Sequence, residues 1–217
     1  MNIFYLDHNP ATCAKMHNDK HCIKMILEYA QLLSTAHRVL DGHLSTRLSE
    51  SGRKQQYYPL KDSRDGILYS ATHINHPSAI WVRQSEQNYM WLAELLEELC
   101  GEYTYRYGKI HKVEASRLMS ILKNCFPKNI PQGAFTEPTP AMPDEVKVKG
   151  SSIQSYHNYY YHNKKHLWSW KGKINSREMP KWLNEMVMNE NAIGTNTMVI
   201  NEMDRIRSLI DKTLKHI

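Results

Sequence analysis

Residues 18–42 read NDKHCIKMILEYAQLLSTAHRVLDG, and the fold turns on how this stretch is read. Asn18 or Asp19 can cap a helix by accepting a backbone N–H two or three residues on, and Asp41-Gly42 supply a C-terminal stop. Between them apolar residues recur at helical spacing. With each residue turning about 100°, Cys22, Met25, Ile26, Tyr29, Ala30, Leu32, Leu33 and Ala36 fall on one side. His21, Lys24, Glu28, Gln31, Thr35 and Arg38 form a stripe on the other, and His17 joins them if the helix runs back through it unbroken. Asp19 falls on the apolar side, as a capping residue would. The stripe has two readings. It is the wet face of an ordinary helix, with Lys24 and Glu28 an i,i+4 pair worth roughly a few tenths of a kcal/mol, or it lines a site. Histidine is an unusual solubilising residue, and the stripe lies beside a basic loop, which favours the site.

Working outward, residues 2–6 (NIFYL) read as a short strand or an apolar arm, and Asn9-Pro10 starts a short helix. Residues 43–66 are polar and basic without a sustained period and read as a loop carrying Arg47, Arg53, Lys54, Lys61 and Arg64. A second long helix is predicted from about Pro77 to about Tyr107, before Gly108, and a third from roughly His111 to Cys125. Prolines at 127, 131, 138, 140 and 143 forbid a regular helix and make this segment a connector. Residues 184–197 are polar and contain Gly194. The last helix, from about Met198 to Ile217, spaces Val199, Met203, Ile206, Ile210 and Leu214 like a docking or coiled-coil face. The fold class expected is all-α: a single helical domain on two long central helices over residues 1–183, with a proline-rich connector, then a linker and a docking or oligomerisation helix over 184–217.

A chain of 217 residues suffices for one full core but is short for two. No run approaches the roughly 20 apolar residues of a membrane span, and the N-terminus lacks a secretory signal, so a cytoplasmic protein without a membrane partner is expected. Cys13, Cys22, Cys100 and Cys125 form no C-x-x-C pair, which argues against a zinc ribbon or a redox motif, and no cofactor is called for. The net charge of +6 favours an anionic partner, of which nucleic acid is the commonest.

The pattern Asp19-x-His21 followed by Glu28 on the first long helix resembles the phage pyrimidine-dimer DNA glycosylase/AP lyase family of endonuclease V type. A weaker echo is His76 before the second long helix and the aromatic-basic element Tyr159-Tyr160-Tyr161 with Trp168 and Trp170. The resemblance implies a small all-α DNA-repair fold, with Glu28 as the catalytic carboxylate and His21 in the active site. The family uses the α-amine of a small N-terminal residue as nucleophile. Here Asn2 is not a small residue, so Met1 is expected to stay, and the family's arginines around the glutamate are replaced by Leu27 and Gln31.

Such chemistry requires a nucleotide turned out of the stack, stabilisation of positive charge at the sugar, and either activated water or an amine. Glu28 suits charge stabilisation or general acid/base work. The Met1 α-amine suits the attacking role better than Lys20 or Lys24, because α-amines shed their proton at lower pH than lysines. The expected catalytic set is therefore Glu28, His21, Met1 through its α-amine, and Lys24. The expected DNA-binding set is Lys20, Arg38, Arg53, Lys54, Tyr160, Lys164, Lys165 and Trp168, combining phosphate-seeking cations with stacking rings. Tyr156, Tyr160 and Trp168 at helical spacing equally suit a helix-packing role. Two other functions stay open: a metal-dependent phosphohydrolase drawing on Asp7, His8, His17, Asp19, His21 and His76, and a non-enzymatic protein that binds nucleic acid or a modified nucleotide.

Overall fold

The computed structural model describes residues 1–48 and 51–214, with side chains described for 1–48, 51–192 and 202–206. Helices dominate. α1 (Pro10–Met16) leads into α2 (Asp19–Asp41), which packs against α4 (Glu86–Tyr107) at the centre of the core. Cys22, Met25, Ile26, Leu32 and Leu33 of α2 are at most 1% exposed, as are Leu92, Leu95, Leu96 and Leu99 of α4. Each such side chain contributes about 1.5–3 kcal/mol by leaving water. Among the described residues the N-terminal arm pairs with no strand. Ile3, Phe4, Tyr5 and Leu6 are buried along it.

The helix does not run back through His17, and of the two expected caps Asn18 is the one that starts α2. Asn9 caps α1, His17 ends it, and Asn18 opens α2 by accepting from His21 N–H. His17 therefore turns into the core, away from the polar stripe, where its Nδ1 meets Cys13 O at 2.8 Å and its Nε2 meets the Tyr29 hydroxyl at 2.8 Å.

The second predicted helix is two. α3 (Pro77–Val82) ends at Arg83, because Ser85 adopts an extended backbone and caps α4 by accepting from Asn88 N–H. The third is also broken, at Ser116, into α5 (Lys112–Ala115) and α6 (Arg117–Asn124). The loop at 43–66 contains an antiparallel hairpin, β1 (Ser45–Leu48) with β2 (Lys54–Tyr57), pairing Ser45 with Tyr57 and Leu48 with Lys54. Its residues are almost all exposed, so burial leaves no alternating apolar signature in the sequence.

The proline connector is held in place by hydrogen bonds. Asp41 accepts from the backbone N–H groups of Lys128 and Asn129, Glu86 N–H donates to Pro131 O, and Trp81 Nε1–H and Asn88 both meet Thr136. It then delivers the chain to α7 (Ser152–Asn163). Beyond α7, the Asp19 carboxylate accepts from Ser169 Oγ, Lys171 N–H and Gly172 N–H, which ties residues 169–172 to the first turn of α2.

Met1–Glu178 forms one compact unit and Met179–Ile217 a second. The body of the second is α8 (Lys181–Leu214), which begins at Lys181 rather than near Met198 and so takes in the segment expected to be a linker. Met203 and Ile206 are exposed, whereas the side chains of Val199, Ile210 and Leu214 lie outside the described residues. No described helix is long and apolar enough to cross a membrane.

Candidate functional site

The polar stripe of α2 borders a cleft of about 190 Å³. The arm contributes Met1, Asn2 and Phe4; α2 contributes His21, Lys24, Met25 and Glu28; α7 and the residue after it contribute Tyr159 and Lys164. Helical spacing brings His21, Lys24 and Glu28 to one side. The rest are brought by the arm and by α7. Asn2 anchors the arm by donating to Ala141 O at 2.8 Å and accepting the Tyr156 hydroxyl at 2.7 Å, and Phe4 N–H donates to the Tyr29 hydroxyl.

These anchors set the Met1 α-amine 3.8 Å from Glu28 Oε2, while Lys24 Nζ lies 3.0 Å from Glu28 Oε1. Glu28 is 15% exposed and the Met1 side chain 5%, whereas Lys24 is 70% exposed. One carboxylate thus stands between two amines at the mouth of a cleft. Lys164 adds a further cation, its ammonium 4.6 Å above the Tyr159 ring. Positive charge exceeds negative charge on this lining, which suits an anion.

His21 is buried, and its ring stacks on Phe4 with centroids 4.0 Å apart and planes at 21°. Its Nδ1 meets the Tyr160 hydroxyl at 2.6 Å and Asn18 Nδ2 at 3.2 Å. Burial, assisted by His17, Lys164, Lys24 and His166, drives its pKa down to about 2. His21 is therefore a neutral group, unable to donate a proton as an imidazolium at physiological pH.

Two residues expected to bind nucleic acid are structural. Arg38 is 7% exposed and donates to Tyr69 O, Tyr58 O, Asp65 Oδ1, Asp65 O and Leu68 O, so its fork is occupied in ordering the segment between β2 and α3. Tyr160 is fully buried and offers no face for stacking. Its neighbour Tyr159 lies half-buried on the cleft lining, with its ring within 9° of parallel to Phe4. Helical spacing carries no signal for this difference, since at about 100° per residue Tyr159 falls between Ser152 and Ser155 on the buried face of α7; Phe4 of the arm and Lys164 share the cleft lining with it.

Lys164 lines the cleft; Lys20, Arg53, Lys54 and Lys165 are exposed and outside its lining. Arg53 and Lys54 lie on the hairpin. Lys165 sits 5.7 Å from the Trp168 ring, and Trp168 Nε1–H donates to Tyr160 O. His76, whose Nδ1 accepts from Ser78 N–H at the start of α3, lies within electrostatic reach of the Met1 amine and Glu28. The set weighed as metal ligands is dispersed, since Asp7 accepts from Asn9 N–H, His8 meets the Tyr5 hydroxyl, and Asp19 serves the 169–172 turn. Among the described residues no three His, Cys, Asp or Glu side chains converge as a metal site. Comparison with family models, with curated proteins and with solved structures finds no match to this chain.

Proposed function

We propose that this protein is a DNA glycosylase-like enzyme acting on a damaged or modified pyrimidine, with strand cleavage at the abasic site as a second step. The observation that carries the reading is the Glu28 carboxylate between the Met1 α-amine at 3.8 Å and Lys24 Nζ at 3.0 Å, on the lining of a cleft of about 190 Å³. The resemblance in the first long helix and the excess of cations over carboxylates around the cleft support it.

The amine must be unprotonated to attack, and Glu28 Oε2, 3.8 Å away, is the carboxylate placed to take its proton once the two close to hydrogen-bond distance. Glu28 gives that proton to the base, which leaves with the electron pair of the C1′–N bond, and the carboxylate so restored stabilises the positive charge that develops at the sugar. The amine nitrogen bonds to C1′ and passes its next proton through Glu28 to O4′ as the C1′–O4′ bond breaks, which yields a protonated imine. Abstraction of a C2′ proton expels the 3′ phosphate, and water releases the amine. Lys24 holds Glu28 in orientation, while Tyr159 stacks on the displaced base and Lys164 meets phosphate. DNA is the partner in this reading, and the cytoplasm its place. α8, with Met203 and Ile206 exposed, joins two copies of the chain, an arrangement that sedimentation of the full chain tests.

The reading is tested by borohydride trapping on oligonucleotides carrying a pyrimidine dimer or an abasic site, followed by mapping of the linked residue. Intact mass first establishes that the protein under test begins at Met1. A covalent adduct at Met1 is expected, and no adduct on either substrate refutes the lyase step. Glu28→Gln should lower base release at least about 100-fold, the scale of an electrostatic or acid–base contribution, with DNA binding retained. A non-enzymatic binding protein, which the Tyr159–Lys164 pair would also serve, shows no base release to lose.

A further inference from the structure

The imidazole of His21 has one nitrogen already committed. Asn18 cannot turn its amide around, because its Oδ1 accepts from His21 N–H at 2.9 Å as the helix cap. It therefore faces His21 Nδ1 with its N–H side at 3.2 Å, and an amide nitrogen only donates. The Tyr160 hydroxyl lies 2.6 Å from the same nitrogen, and with Asn18 leaving no proton on Nδ1 the hydroxyl gives its own proton to it. Two donors meeting at Nδ1 require a lone pair there, and the ring proton sits on Nε2.

His17 shows the opposite outcome from the same parts. The Tyr29 hydroxyl takes Phe4 N–H at 3.2 Å and faces His17 Nε2 at 2.8 Å, so the His17 proton sits on Nδ1 and goes to Cys13 O. Both polar positions of His17 are thus occupied in the core. His21 instead lines the cleft, clamped on one ring face by Phe4. The charged and titratable groups facing it are His17 from the end of α1, Lys24 on α2, and Lys164 and His166 beyond α7, all of which oppose a second proton on the ring.

We infer that His21 is a fixed, neutral hydrogen-bond donor that reads a carbonyl oxygen on the edge of the bound pyrimidine, and that Tyr160 and Asn18 are the positioning residues that hold it in that state. This rests on the cleft receiving a displaced base. Tyr159 shares this lining, its ring within 9° of parallel to Phe4 and under the Lys164 ammonium, beside the place that base would take. A carbonyl accepts from Nε2–H, whereas an amino group at the same place leaves two donors face to face.

The test is the ¹⁵N spectrum of histidine-labelled full-length protein between pH 5 and 8. Wild type should show a pyridine-type Nδ1 and a pyrrole-type Nε2 for His21 throughout. The reverse pattern, or titration within that range, overturns the lock without reference to any substrate. With Glu28→Gln protein and an oligonucleotide bearing a pyrimidine dimer, the Nε2–H proton should move downfield. An oligonucleotide with a baseless tetrahydrofuran residue should leave it unmoved. No shift with the dimer, or an equal shift with both, overturns the base-reading role. Tyr160→Phe should bring tautomer exchange at His21 and a new inflection in the pH profile of base release. If both are unchanged, Tyr160 is not a positioning residue. Trapping at Met1 is read separately, so loss of the glycosylase reading and loss of the His21 role are distinguishable.

Discussion

Arg106 is fully buried and charged, and every part of its guanidinium is engaged. Nε–H donates to Glu102 Oε1 at 2.7 Å, Nη1 to His17 O and to Asp19 Oδ1, and Nη2 to Lys15 O. Arg177 closes the network by donating to both oxygens of Glu102 at 2.9 Å. One side chain thus joins the end of α1, the start of α2 and α4, the junction from which His21 and Glu28 project. Arg106→Met keeps much of the volume but leaves Glu102, which is 3% exposed, with Arg177 alone, and strands the Lys15 and His17 carbonyl oxygens. Breaking a buried pair from one side costs about 3–5 kcal/mol, and denaturant unfolding should read a loss of that size. A loss below about 1 kcal/mol, the level of a surface pair, would show that the network adds nothing to the fold.

At the scale of elements, the same junction depends on the turn that follows α7. Gly172 has φ of +60°, and a Cβ there would lie 2.1 Å from Asn175 O. Gly172→Ala should therefore destabilise by about 1–3 kcal/mol and loosen the Asp19 clamp, which is checked by thermal melting together with amide exchange at Lys171 and Gly172. What was legible in the sequence follows the range of the forces involved. The Asn18 cap, the Gly108 stop with φ of +63° and the shared face of His21, Lys24 and Glu28 are local, set by backbone geometry and a 3.6-residue period. The breaks before α4 and within α5–α6 were missed because apolar spacing continues across them while the caps at Ser85 and Ser116 interrupt the backbone. The hairpin was missed because its exposed residues carry no burial pattern. Long-range pairing is not written in a local window. Arg38 resembled a phosphate ligand until carbonyls from residues 58, 65, 68 and 69 closed around it, and Tyr159 and Lys164 reach the cleft only through the path of the proline connector and α7.

For the molecule as a whole, buried histidines set the response to acid. His17 and His37 are both buried, and desolvation lowers each from 6.5 to about 4; at His37 the adjacent Arg64 guanidinium adds to the effect, against Asp41 and Asp62. The unfolded chain therefore binds more protons than the folded one between about pH 6.5 and 4. Stability from these groups is complete above pH 6.5 and is lost as the pH falls toward 4, by about 3 kcal/mol for each histidine. His21 acts in the same direction. Asp41, held low by Arg64 and the Lys128 and Asn129 backbone despite its own burial, and Glu102, held low by Arg177 and Arg106 despite its burial, lose their share only as the pH nears the ordinary carboxylate range. Since His37 ties α2 to Tyr89 on α4, while His17 ties α1 to Tyr29 on α2, protonating either one pulls at the central helix pair itself. The melting temperature should therefore fall steeply from pH 6.5 to 4, with most of the drop complete before the carboxylates titrate. His37→Gln, which keeps a donor toward Tyr89 without a titrating ring, should flatten that slope by roughly a third, since His17, His21 and His37 contribute alike over this range. A melting temperature constant over this range in wild type would mean that these imidazoles reach solvent and that the core around α2 and α4 is open to water.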